Sequence, residues 1–174
     1  MRNFLLALPW LILAAVVVAL DQGAKWLIAQ NLPAGDVLRL TSFFNLVRVY
    51  NRGAAFSFLA GAGGWQRWFF VALAAVAIIV ITTILFRRAA AGGLFAGSLA
   101  LILGGAIGNL IDRVRIGYVL DFLDFHFSWL SLLFRGGHFP AFNIADAAIT
   151  AGVIGLLLNE VLGMFEGFGR KRVI

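Results

Sequence analysis

Four apolar stretches decide what this chain can fold into. Residues 4–20, 68–86, 89–108 and 139–158 are each long enough to cross a bilayer. Lipid offers no water to an unpaired peptide group, so each stretch must be helical. Extended to their polar ends, they predict helices over about 4–28, 67–87, 91–112 and 139–164. At 174 residues, with 62% hydrophobic and 13% charged, the chain reads as one integral-membrane domain spanning 1–174. The expected fold is an all-α four-helix membrane bundle carrying a small β element. The third stretch holds Gly92, Gly93, Gly97, Gly104, Gly105 and Gly108, which would let neighbouring backbones approach closely. The first lacks a small-residue cleavage site before Asp21, so it reads as a retained helix rather than a leader.

The formal net charge of +6 does not indicate nucleic acid, because the basic residues are scattered or sit at segment ends and form no basic face. Cysteine is absent from the sequence, which excludes disulfides and thiolate chemistry. His126 and His138 are the only imidazoles. They read as interfacial polar residues, with too few partners for a metal site. No metal or cofactor is expected.

An even number of spans puts both termini on one side. Arg2, Arg87-Arg88 and Arg170-Lys171-Arg172 mark that side as cytoplasmic. Seven arginines fall on the other side, among them Arg39, Arg48, Arg67 and Arg113, so the charge rule is not clean. The unusual polar residues nevertheless converge there. Asp21 closes the first helix, and Asn51 lies in the outer loop. Asn109 and Arg113 end the third helix, Asp121 follows it, and Asn143 and Asp146 open the fourth. The outer loop, about 31–64, shows partial alternation over 37–40 and 47–50, which predicts a small sheet. A second outer segment, about 113–138, is aromatic over 122–134 and predicts a short helix lying on the bilayer surface.

Asp121 and Asp146 carry the chemical signal. A carboxylate beside hydrocarbon is costly and marks a functional position by default. Two that could meet at one depth suggest acid–base chemistry, with one carboxyl ionised and one protonated. Asp121 taken singly also fits a helix cap, and Asp146 a buried partner for Arg113. Asn51 and Asn109 equally fit turn-tying roles. Asp21 and Lys25, at i,i+4, fit a helix-end salt bridge at the interface. Asp124 reads as a solvated neighbour, paired with Arg115.

Five motifs run along the whole chain in order: Asp21-Gln22-Gly23-Ala24-Lys25, Asn51-Arg52-Gly53-Ala54-Ala55-Phe56-Ser57, Gly104 to Arg113, Gly117 to Phe122, and Phe139 to Asp146. Together they resemble the bacterial lipoprotein signal peptidase (signal peptidase II) family. The resemblance implies an aspartic endopeptidase of the bacterial inner membrane, acting near its extracytoplasmic face. It would release signal peptides from diacylglyceryl-modified prolipoproteins just before the lipidated cysteine. It further implies Asp121 and Asp146 as the catalytic pair, with Asp21, Lys25, Asn51, Gly53, Asn109, Arg113 and Asn143 as supporting positions. Implied partners are the prolipoprotein substrate, membrane lipids and globomycin-type inhibitors. The implied fold adds an extracytoplasmic β-cradle and a small helix to the bundle. One chain holds the whole site, which suits a monomer.

Three other readings compete. A serine–lysine protease would use Ser57 and Lys25, but Asp21 one turn away keeps Lys25 charged. A metal-dependent phosphotransferase would use Asp112, Asp121 and Asp124, whose spacing is irregular. A proton-coupled transporter would relay through Asp146, yet the inner halves of the helices lack ionisable residues.

Overall fold

The computed structural model describes residues 2–53, 59, 61–88 and 93–170. Ala54 to Ser57 of the second motif, Gly92 and the basic tail beyond Arg170 lie outside them. Four helices form the bundle: α1 (Arg2–Asn31), α2 (Gln66–Arg88), α3 (Gly93–Arg115) and α4 (Ile144–Arg170). Each contains a stretch apolar enough to cross a membrane. Half of that stretch is buried in α3, against 11–17% in the others. Helix α3 is therefore the central post, packed most extensively on α4 and α1, while the other helices turn Leu, Ile and Val side chains outward to lipid.

Glycine makes that packing possible. A Cβ on Gly104 would lie 2.7 Å from the Ala14 carbonyl oxygen and the Val17 Cβ. One on Gly105 would strike the Ala145 carbonyl, and one on Gly108 would lie 2.7 Å from Asp21 Oδ2. The backbone approaches expected from the third stretch thus occur, toward α1 on one side and α4 on the other.

Three antiparallel strands, β1 (Val37–Arg39), β2 (Phe44–Asn51) and β3 (Val119–Phe125), form one sheet in the order β1-β2-β3. The first two strands fall where alternation predicted them. The third corrects the expectation for the aromatic segment. Residues 119–125 are extended, and the short helix expected in the segment is a 3₁₀ helix, Ser128–Leu132, with a second 3₁₀ segment, Arg135–Gly137, after it. Gly136 and Gly137, both at positive φ, break any longer helical run.

Two helix ends also differ from the sequence reading. Helix α1 runs ten residues past Asp21, which therefore lies inside it. Helix α4 starts at Ile144 rather than 139, because residues 139–142 pair with β3. Phe139 N–H donates to the Phe125 carbonyl (2.8 Å), Phe142 N–H to that of Leu123 (3.1 Å), and Leu123 N–H to that of Phe142 (2.8 Å). Pro140 has no N–H to give a helix.

Two arginines that break the charge rule bind helix C-termini. Arg48 Nη1 donates to the carbonyls of Ala29 and Leu32 at the end of α1. Arg67 donates to those of Arg113 and Val114 at the end of α3. Each satisfies orphan carbonyls and meets the negative end of a helix dipole.

Gly104→Ala and Gly105→Ala should each destabilise the detergent-solubilised protein by about 1–3 kcal/mol, read as a lower unfolding temperature. Gly93→Ala should be neutral, since its Cβ would meet only Trp10 at 3.9 Å.

Candidate active site

The site begins where α4 begins. Asn143 and Asp146 cap its first turn reciprocally: Asn143 Oδ1 accepts the Asp146 N–H (2.9 Å), and Asp146 Oδ2 accepts the Asn143 N–H (3.3 Å). This is a capping box built from Asn and Asp, and it fixes the Asp146 carboxylate at the mouth of the helix. Asn143 is fully buried, and its Nδ2 donates across to Asp121 Oδ1 at 2.8 Å. Asn51, the last residue of β2, donates to Asp121 Oδ2 at 3.1 Å. Asn109 on α3 donates to Asp146 Oδ1 at 2.7 Å and accepts from Asn143 Nδ2 at 3.2 Å. The two carboxylates are thus linked through the amides of Asn143 and Asn109.

A ring of charge lies beneath. Lys25 Nζ sits 2.8 Å from both Asp21 Oδ2 and Asp112 Oδ2, and 3.2 Å from Asn109 Oδ1. Asp21 is fully buried, and Lys25 and Asp112 are 4% and 5% exposed. The pair expected to be an interfacial salt bridge is therefore an interior triad, because Gly108 lets α3 close over it. Each acid also holds a peptide group. Asp21 Oδ1 accepts the Ala145 N–H (2.9 Å), and Asp112 Oδ2 accepts the Leu120 N–H (3.2 Å). Gln22 Nε2 bonds Asp112 Oδ1 at 2.9 Å and the Gly108 carbonyl at 3.1 Å. Gln22 is a supporting residue that the sequence reading passed over, and Asp112, considered there only as a phosphotransferase residue, is another.

Arg113 does not ion-pair with Asp146. Its guanidinium donates to the Gly53 carbonyl at 2.9 Å and lies over the Phe70 ring at 5.2 Å. Gly53 N–H in turn donates to Asn51 Oδ1 at 2.9 Å, so Arg113 holds the turn that aims Asn51.

Asp121 and Asp146 open into one cavity of about 490 Å³. Its polar end is Asn51, Asn109, Arg113 and the two acids. Its apolar wall is Val119 and residues 139–142, and it continues down α4 along Ala147, Thr150, Ala151 and Ile154. Burial pushes the Asp121 carboxyl up to about 7, and the charge of Asp146 adds to the effect. Amide bonds from Asn51 and Asn143 and the Lys25 charge pull the other way.

The rival acids are engaged elsewhere. Asp112 belongs to Lys25. Asp124 is 6% exposed rather than solvated, and does not reach Arg115: it accepts from Asn45 Nδ2 (2.7 Å) and meets His138 Nδ1 (2.9 Å). The strand explains this, since an offset of three residues turns Asp124 to the face opposite Asp121. The histidines expected to lack metal-binding partners meet there, with ligating atoms of Asp124, His126 and His138 within 4.8 Å of one another. Ser57 lies outside the described residues.

Lys25→Met should cost about 3–5 kcal/mol in thermal unfolding, because it strands two buried carboxylates.

Comparison with known proteins gives one consistent result. The model of the family described as Signal peptidase (SPase) II matches residues 13–162. Lipoprotein signal peptidase of Paraburkholderia phytofirmans is 52% identical over 155 residues, covering 88% of this chain and 84% of that one. The Burkholderia vietnamiensis enzyme of the same name is 53% identical over 153 residues, covering 88% and 87%. Two solved structures, each described as a bacterial membrane enzyme, superpose with TM-scores of 0.78 and 0.72. They are 30% and 31% identical and cover 90% and 87% of this chain, and 89% and 91% of their own. The four apolar helices, the small sheet and the match over most of its length agree: the chain is a multi-pass membrane peptidase and belongs to the signal peptidase II family.

Proposed function

We propose that this peptidase removes signal peptides from diacylglyceryl-modified prolipoproteins, cutting just before the lipidated cysteine, with Asp121 and Asp146 activating water. The observation that carries this reading is the placing of two amide-linked carboxylates in one cavity whose wall continues as an apolar groove along α4.

The chemistry follows from the shared proton. Burial and the neighbouring Asp146 push the Asp121 carboxyl up to about 7, so the pair shares a proton below about that pH and titrates as a unit. The ionised carboxylate takes a proton from water as the oxygen attacks the scissile carbonyl. The protonated one donates to the carbonyl oxygen, giving a neutral tetrahedral diol. On collapse one carboxyl gives its proton to the leaving amine while the other takes a proton from a diol hydroxyl as the carbonyl re-forms, so the pair again holds one proton. Asn143 and Asn109 fix the two carboxyls; Asn51, held by Gly53 and Arg113, fixes the outer oxygen of Asp121. Asp21 and Lys25 act through these residues as positioning groups.

The apolar groove suits acyl chains and the hydrophobic signal segment, entering from the lipid at the depth of the dyad. Arg87 and Arg88, at the far end of α2, favour cytoplasmic termini and a site near the extracytoplasmic face of the bacterial inner membrane. Every residue of the site comes from one chain, which suits a monomer. A globomycin-type peptide would bind by putting a polar group between the aspartates.

Asp121→Asn and Asp146→Asn should each lower kcat by roughly 10²–10⁴-fold while leaving a folded, membrane-inserted protein; wild-type turnover by either would overturn the dyad. Asp124→Asn should keep most activity, as it faces the other side of β3. In wild type, kcat/KM should fall as pH rises through about 7, where the pair loses its shared proton; a profile rising above that point would contradict the assignment.

Substrate is tested with purified protein and two precursors. The diacylglyceryl-modified prolipoprotein should shift to the mature band on a gel, and the unmodified one should persist. Equal cleavage of both would show that the lipid is not read, and undiminished cleavage in saturating globomycin would count against the inhibitor assignment.

A further inference from the structure

We propose that Asp124, His126 and His138 form a second site, for a zinc-type divalent cation, on the face of β3 away from the dyad. Two imidazoles and one carboxylate are a donor set that suits zinc, and a three-residue set leaves a coordination position open. Their ligating atoms already lie within 4.8 Å of one another. Ligands at about 2.0–2.2 Å from one zinc stand at most roughly 4 Å apart, so a small rotation completes the set. The His138 side chain, 48% exposed, is free to make it.

A second observation points to a ligand in the same place. Asn45 is 3% exposed, and its Oδ1 is the buried side-chain atom among the described residues that has no hydrogen-bond partner. Flipping the amide would aim oxygen at the Asp124 carboxylate, which now accepts Nδ2 at 2.7 Å. The orientation is therefore fixed, and Oδ1 is left over. Asn45, Asp124, His126 and His138 line one cavity of about 500 Å³, where a metal-bound water or the metal itself would satisfy that oxygen. The two imidazoles stack at 4.8 Å rather than spreading apart. Arg39, exposed on β1, also borders the cavity, but Asp124 lies deeper and offsets its charge.

The consequence is mechanical. His126 and His138 face each other across the neck of the 126–138 excursion, where Phe127 N–H bonds the Gly137 carbonyl at 3.0 Å. A cation would crosslink that neck to the sheet. The chain then passes directly into Phe139, which lines the catalytic cavity. The site would therefore brace the wall of the active site without entering its chemistry.

The rival occupant is a proton: protonated His138 alone would pair with Asp124. Untagged full-length enzyme in detergent, stripped with EDTA and held at about pH 7.5, separates the two. Co²⁺ should bind with one-to-one stoichiometry, produce visible d–d absorption, and be displaced by Zn²⁺. Zn²⁺ should raise the unfolding temperature by several degrees. The His126→Ala/His138→Ala variant should lose both effects. Should that variant fail to fold, His138→Ala, at a half-exposed ring, should still weaken Co²⁺ binding by roughly tenfold or more. Absence of stoichiometric Co²⁺ binding in wild type, or undiminished binding in the variant that folds, overturns the proposal. So does an unfolding temperature that responds to pH through the imidazole range but not to Zn²⁺.

Discussion

One buried ammonium organises the active end of this molecule. Lys25 lies between Asp21 and Asp112, all three nearly inaccessible. A charge in such surroundings persists only where opposing charges and hydrogen bonds replace water, and here both acids approach to 2.8 Å. The arrangement fixes more than itself. Asp21 receives the Ala145 N–H at the start of α4, and Asp112 receives the Leu120 N–H beside Asp121. Lys25 also donates to Asn109 Oδ1, which turns the amide's NH₂ toward Asp146. A single cation thus registers α1, α3, α4 and β3 against one another, although it touches neither carboxyl of the pair.

That indirectness has a physical reason. Were the ammonium to contact Asp121 and Asp146, it would hold both carboxyls ionised, and the shared proton that the proposed mechanism requires would be lost. Neutral amides do the contacting instead. Asn51, Asn109 and Asn143 hold the acids by hydrogen bonds without supplying a full charge, so burial and mutual repulsion keep Asp121 near 7. The reading of two aspartates meeting at one depth therefore depends as much on three asparagines and a distant lysine as on the acids.

Much of the fold and part of the site were legible in the sequence. Apolar length gave four helices, and acids or amides next to hydrocarbon gave the end where they converge. What escaped has two causes. Strand β3 reads Val-Leu-Asp-Phe-Leu-Asp-Phe, nearly all of it buried, so it lacks the alternation that marks a half-exposed strand. Its neighbour pairs with it through residues 139–142, and the fourth helix starts late for that reason. Asp112 and Gln22 escaped because their meaning lies in a contact across ninety residues of chain. Local pattern also assigned the wrong environment to Lys25 and Asp21: an i,i+4 pair looks the same on a surface as in a core, and only Gly108, two motifs away, decides which.

The sheet shows how one strand can carry two acids with separate duties. Asp121 pairs with Val49 and Asp124 with Asn45, so five positions of β2 span what four positions of β3 span. A bulge between Leu46 and Val49 absorbs the extra residue. A bulge bends its strand and increases local twist. Beyond it, Asn51 reaches Asp121 on one face; before it, Asn45 reaches Asp124 on the other. Without the extra residue, a straight antiparallel register would shift Asn51 by one position and turn its side chain to the wrong face. The bulge therefore lets β2 deliver an asparagine to each acid, and it keeps Asp121 and the His138-bound Asp124 on opposite sides of a single sheet.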